Sequence, residues 1–79
     1  MAYNQEKVDE MVLALLALTL FKEGSEFRAW KGHDWETMDR LYQQGYIFDP
    51  RSKAKSVALS PEGVQKAKAL FAQHFGHDA

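Results

Sequence analysis

The pattern of apolar positions is dominated by one stretch near the start of the chain. Residues 11–21 read Met-Val-Leu-Ala-Leu-Leu-Ala-Leu-Thr-Leu-Phe, in which Thr19 is the only residue that is not apolar. Leu, Ala and Met are strong helix formers, and neither Gly nor Pro interrupts them. With Asn4 as the N-cap and Gly24 as the stop, this pattern predicts a helix over residues 5–22.

This first helix is expected to be buried rather than to cross a membrane. A membrane span needs about 20 apolar residues, and the uninterrupted stretch is shorter than that. Its apolar residues occupy more than one face, since Val8, Met11, Val12, Leu15 and Leu18 share one and Leu13, Leu16 and Leu20 share another. A helix that is apolar on several sides must be covered on most of them.

Two later segments show the spacing of amphipathic helices. Asp34 is a good N-cap for a second helix over residues 35–44, which ends at Gly45. Its inner face is predicted to carry Trp35, Met38, Leu41 and Tyr42, and its outer face Glu36, Asp39, Arg40 and Gln43. Ser60 and Pro61 begin a third helix that ends at Gly76. Its apolar side carries Val64, Ala67, Leu70, Phe71 and Phe75.

The segments between the helices predict short strands. Arg28-Ala29-Trp30 is interpreted as a strand that folds back on the core, with Trp30 as a core residue. The alternative is that Trp30 is an exposed aromatic that contacts a ligand. Tyr46-Ile47-Phe48 and residues 54–59 are predicted to pair as a β-hairpin around the turn at Pro50. The expected fold is therefore α+β and winged-helix-like, in the order helix, short strand, helix, β-hairpin, helix.

Length and charge narrow the class of protein. The 79 residues predict one domain over residues 1–79, and the chain has no Cys. The formal net charge is −1, and the acidic start is unlike a signal peptide. We expect a cytoplasmic protein without a membrane segment, a cofactor or a metal. His74 and His77 lack further ligands, and His33-Asp34 lacks a nucleophile, so we expect a protein that is not an enzyme.

Two surfaces are candidates for binding. Five basic residues, Arg28, Lys31, Arg51, Lys53 and Lys55, are the candidate nucleic-acid contacts. The alternative is that lysines at a hairpin edge only prevent aggregation. On the third helix, Leu70, Phe71 and Phe75 are candidates for a homodimer interface built on the terminal helices. The alternative there is a monomer in which residues 27–30 complete the cover.

Two resemblances follow from these segments. A helix ending in Gly, a hairpin, and Leu59-Ser60-Pro61-Glu62-Gly63 opening another helix resemble the second half of a winged-helix regulator. That resemblance implies a recognition-like helix at residues 35–44 and a wing tip at residues 49–55. Residues 28–32, Asp34-Trp35 and residues 53–57 also resemble a family of small bacterial proteins of unknown function. We expect a non-enzymatic protein-interaction or dimerisation module, with nucleic-acid binding as the alternative.

Overall fold

The computed structural model describes residues 2–76, which form three helices and three strands. The elements in order are α1 (Gln5–Leu18), β1 (Phe21–Glu23), β2 (Glu26–Trp30), α2 (Trp35–Gln43), β3 (Ser56–Leu59) and α3 (Pro61–Phe75). The fold is α+β, with three helices and one three-stranded antiparallel sheet in the order β1-β2-β3. None of the helices among these residues is long and apolar enough to cross a membrane.

Helix α1 begins as predicted but ends earlier. The Asn4 side chain accepts a hydrogen bond from the Lys7 backbone N–H at 3.0 Å, as an N-cap does. The predicted continuation to residue 22 is wrong, because β1 starts at Phe21 and pairs with β2. Gly24 has a φ of +62° and lies in the turn of this hairpin, so it does not end the helix.

The sheet pairs its strands differently from the prediction. β3 pairs mainly with β2, with Arg28 opposite Ala58 and Trp30 opposite Ser56. The predicted partner, residues 46–48, contributes only one bridge, between Ile47 and Leu59. The predicted hairpin is therefore wrong in its main pairing. Pairing with β2 puts Ala29 beside Val57 on the buried side of the sheet, where both are almost fully covered.

Helix α1 is covered by α3, by α2 and by the inner side of the sheet. The core residues are Leu13, Ala14, Leu16, Ala29, Met38, Leu41, Ile47, Val57, Leu59, Ala67 and Leu70. Of the three candidate interface residues, Leu70 is buried in this core and Phe71 packs against it. Phe75 is 44% exposed, so it is the most accessible of the three.

One buried ion pair joins α1 to α2. The Arg40 Nε donates to both carboxylate oxygens of Asp9 at 2.9 and 3.0 Å, and Asp9 is only 5% exposed. This hydrogen bonding raises the pKa of Arg40. Arg40 also donates to the Thr37 hydroxyl, which donates to the capping carboxylate of Asp34. The prediction that Arg40 faces outward is wrong, because its partner lies on another helix, 31 residues away.

The end of α2 and the start of α3 meet at Tyr46. Gly45 has a φ of +83°, and the Tyr46 N–H donates to the Leu41 carbonyl at 3.1 Å, which closes α2 with the predicted Schellman geometry. Ser60 caps α3 by accepting from the Gly63 N–H at 3.0 Å. A Cβ atom at Gly63 would overlap the Tyr46 carbonyl, so only glycine allows this approach.

Gly63→Ala tests this contact. The added methyl group meets backbone rather than a mobile side chain, so α3 or Tyr46 must shift. Overpacking of this kind costs about 1–3 kcal/mol, which should appear as a clear fall in the urea midpoint. Gly32→Ala is the matched control, because a Cβ there meets nothing within 4 Å. Equal midpoints for the two variants would contradict the close approach.

Candidate functional site

Both tryptophans lie at the surface, which overturns the prediction that they pack in the core. Trp30 is 52% exposed and Trp35 is 59% exposed. Trp30 lies on the outer side of β2, since Phe27 and Ala29 face inward and Arg28 and Trp30 face outward along the strand. Trp35 is the first residue of α2, and the inner face of that helix carries Met38 and Leu41 instead.

The two indoles flank one recess, which we call the Trp–Lys recess. It has a volume of about 540 Å³, and its large side chains are Trp30, Lys31, His33, Trp35, Lys53 and Lys55. No Asp or Glu belongs to the described lining. Burial lowers the pKa of His33, so its ring is neutral at pH 7 and the positive charge comes from the lysines. Aromatic and cationic side chains are therefore concentrated in one place.

Backbone contacts hold both indoles in position. The Trp30 N–H donates to the Thr19 hydroxyl oxygen at 3.2 Å, which fixes the end of β2 against the end of α1. The Trp30 ring also contacts the Phe21 ring, with centroids 5.6 Å apart. Trp35 is held at the start of α2, where Asp34 accepts from the Thr37 N–H at 3.1 Å. The aromatic surfaces are thus presented by regular elements.

Lys31 fixes the loop that carries the other lysines. Its Nζ donates to the carbonyl oxygens of Pro50 and Ser52, both at 2.6 Å, and to the Ser52 hydroxyl at 3.2 Å. Three donors of the ammonium group therefore meet three acceptors. The same Nζ lies 6.0 Å from the centre of the Trp35 ring. Lys31 thereby joins the end of β2, the loop at residues 50–52 and the first residue of α2.

The five basic candidates have different surroundings. Arg28 donates from Nε to the Ser56 hydroxyl at 2.8 Å and pairs with Glu26 at 3.1 Å. Arg51 pairs with Asp39 at 2.8 Å. Both arginines therefore have an ion-pair partner within the chain. The side chains of Lys53 and Lys55 are exposed and have no hydrogen-bond or ion-pair partner within residues 2–76. The structure brings Lys31, Lys53 and Lys55 together in the recess and leaves Arg28 outside it.

A second recess adjoins the first across Trp35 and Ser52, and we call it the Glu36 recess. It measures about 530 Å³ and is lined by Trp35, Glu36, Asp39, Pro50, Arg51 and Ser52. Trp35 and Ser52 therefore line both a basic recess and one that contains carboxylates. The sequence pattern did not predict this arrangement, because residues 50–52 are joined to α2 by partners distant in sequence, such as Arg51 with Asp39.

The metal hypothesis gains nothing from the geometry. In the described part of the chain, no three His, Cys, Asp or Glu side chains are grouped so as to hold a metal ion. The His74 Nε2 lies 3.6 Å from a carboxylate oxygen of Glu10, between α3 and α1. His77, the other member of the candidate pair, lies outside the described residues.

Comparison with known proteins assigns the chain to a family. The model of a family described as "Domain of unknown function (DUF6429)" matches residues 4–77. The chain belongs to this family. It is also similar to the uncharacterized protein y4hR of Sinorhizobium fredii (strain NBRC 101917 / NGR234), with 47% identity over 75 residues. That match covers 95% of this chain and 97% of the relative. No solved structure matches the chain.

Membership of the DUF6429 family confirms the predicted resemblance to a family of small proteins of unknown function. It assigns no activity to the DUF6429 domain. The Trp–Lys recess is the feature of the structure that bears on function, and the two indoles that line it are exposed.

Trp30→Ala measures that exposure. Because about half of the Trp30 surface is exposed, the variant should lose clearly less unfolding free energy than the about 3–5 kcal/mol that truncation of a buried Trp costs. Leu13→Ala, which empties part of the core, is the control and should lose about 2–5 kcal/mol. Urea unfolding of both variants gives the comparison. If Trp30→Ala were as destabilising as Leu13→Ala, the ring would have to lie in the core.

Proposed function

We propose that this DUF6429 domain is a non-enzymatic binding module whose Trp–Lys recess takes single-stranded nucleic acid. The observation that supports the proposal is the exposure of Trp30 and Trp35 beside three lysines in a recess with no described acidic lining. Unpaired bases stack on aromatic side chains, and lysines contact the phosphates between them. Each component of a single strand thus has a matching group on this surface.

A single strand fits the recess better than a duplex fits α2. In the winged-helix comparison, α2 would be the recognition helix and residues 49–55 the wing. α2 presents Glu36 and Asp39, whose carboxylates repel phosphates. The segment between α1 and α2 holds the β1–β2 hairpin, where a helix-turn-helix regulator has another helix. The loop at residues 49–55, which corresponds to the wing, remains part of the proposed site because it carries Lys53 and Lys55.

The charge of the chain predicts how such binding would behave. The net charge is −1, so the attraction for phosphate comes from the lysines of the recess and not from the whole surface. We therefore propose modest affinity that falls steeply with salt. The bacterial origin of the relative supports the expectation of a bacterial cytoplasmic protein, which is part of the same proposal.

Tryptophan fluorescence tests the proposal directly. Titration with a single strand of about ten nucleotides at low salt should quench the emission, because bases stack on Trp30 and Trp35. In the double variant Lys53→Ala/Lys55→Ala, binding should weaken and the slope of log K against log salt should flatten by about 1.4, for two lost phosphate contacts.

The double variant Lys66→Ala/Lys68→Ala is the matched control. It removes the same charge from exposed positions of α3, away from the recess. Its salt slope should equal that of the unmodified protein. Absence of binding to DNA and RNA single strands at low salt would remove the proposal, and equal weakening by both double variants would remove the recess as the site.

A second candidate function is homodimerisation, which one observation favours. Val8, Met11, Leu15 and Leu18 follow one line along α1 at 3-4-3 spacing, the spacing of a two-helix seam. Leu15 is 37% exposed and Leu18 is 66% exposed, while Val8 and Met11 are half-buried, so the C-terminal half of this line is the part that the chain leaves uncovered. A two-fold contact between two copies of α1 would cover it. Phe75 is the member of the predicted interface that remains accessible to join it.

Sedimentation at micromolar concentration tests the dimer. We expect a species of twice 9.0 kDa, which Leu18→Glu should convert to the monomer with its helical signal kept. Phe75→Glu should weaken the dimer in the same way. Phe71→Glu is the contrasting variant, because its ring packs on the core and the change should lower stability. A species of 9.0 kDa throughout would contradict the dimer.

A further inference from the structure

The Glu36 recess has the composition of a base-reading site rather than of a phosphate site. It shares Trp35 and Ser52 with the basic recess, and it has room for a planar ring beside the indole, at about 530 Å³. The phosphates of a nucleic-acid strand held by Lys53 and Lys55 would lie in the Trp–Lys recess. The edge of a base stacked on Trp35 would then reach into the Glu36 recess.

The polar groups of this recess comprise both donors and acceptors. Asp39 Oδ1 accepts from Arg51 Nη2 at 2.8 Å, and Arg51 Nη1 lies 4.0 Å from Oδ2 of Asp49, which is not part of the lining. The guanidinium has five N–H donors in one plane, so these contacts leave others for a ligand. Glu36 is exposed at the second position of α2 and lines the recess together with Trp35. Its carboxylate offers two acceptor oxygens.

We infer that the Glu36 recess selects guanine, an inference that rests on the proposed single-strand function. Guanine presents the acceptors O6 and N7, which suit arginine donors. It also presents two adjacent donors, N1–H and the N2 amino group, which one carboxylate can accept together. Arg51 and Glu36 supply these two complements, and Trp35 supplies the stacking surface.

The other bases match this set of groups less well. Adenine and cytosine each place a ring acceptor beside their amino group on the pairing edge, and a carboxylate repels that acceptor. Uracil and thymine have one N–H between two carbonyl oxygens, so a carboxylate meets one donor and two acceptors. Glu36 is therefore the residue that distinguishes guanine, while Arg51 contributes orientation.

The source of the guanine is either a strand or a free guanine nucleotide. Both offer the same chemistry, a guanine base joined through its sugar to a phosphate within reach of the lysines. The probes are a thymine strand with one central guanine, the same strand with inosine, the all-thymine strand, and guanosine monophosphate. Inosine keeps O6, N7 and N1–H and lacks only the N2 amino group, so it isolates the second hydrogen bond to Glu36.

Replacing guanine by inosine should weaken binding about 10-fold, as expected for loss of one good base contact. Glu36→Gln should lower the affinity for the guanine strand to that for the inosine strand, because an amide cannot accept from both donors. Glu62→Gln is the matched control, since Glu62 holds the same second position in α3 and lies outside both recesses. It should leave the preference unchanged.

The outcomes separate this inference from the proposed function. Equal binding of the guanine, inosine and all-thymine strands, unaffected by Glu36→Gln, would overturn guanine selection and leave single-strand binding standing. Guanosine monophosphate binding as tightly as the guanine strand would keep guanine selection and overturn the single strand as the ligand. Failure of all four probes to bind would overturn both.

Discussion

The need to cover α1 on several sides determines the rest of this structure. α3, α2 and the inner side of the sheet all pack against it, and the space between them is filled by aliphatic side chains such as Leu13, Leu16 and Met38. Close-packed interiors have little room for a further indole. The two tryptophans are consequently outside, one on the outer side of β2 and one at the start of α2. A core built from aliphatic residues thus leaves the large aromatic rings available to a ligand.

Several charged side chains stabilise the fold through partners within the chain, so they are less available to a ligand. Asp9 and Arg40 join α1 to α2, Arg28 joins β2 to β3 through Ser56, and Lys31 holds the loop at residues 50–52. Each of these groups meets its partners at short distance, so its charge is largely committed within the chain. Lys53 and Lys55 differ because the loop presents them exposed and without such partners among the described residues. The proposed binding surface therefore depends on one lysine that positions the loop and two that face the solvent.

The sequence predicts most of what is decided locally. Asp34 and Ser60 cap their helices, Gly45 ends α2, and Arg28-Ala29-Trp30 falls in a strand, because each depends on a few neighbouring residues.

The errors of the sequence-based prediction concern partners distant in sequence. α1 stops where β1 pairs with β2, β3 chooses β2 over residues 46–48, and Arg40 turns toward Asp9. Apolar character alone also assigned the tryptophans to the core, although the alternation along β2 places Trp30 with Arg28 on the outer side. Three of the five basic candidates line the Trp–Lys recess, whereas the Glu36 recess had no signal in the sequence.

A ¹H–¹⁵N correlation spectrum of the labelled protein, recorded with and without a short single strand at low salt, tests the central claim most directly. The two indole N–H signals, from Trp30 and Trp35, report on the walls of the recess without any substitution. The account predicts that both indole signals shift, together with backbone amides of residues 31–33 and 52–55, while those of α1 and α3 stay in place. Indole signals that stay fixed while amides of α1 or α3 move would contradict it, because the strand would then bind elsewhere.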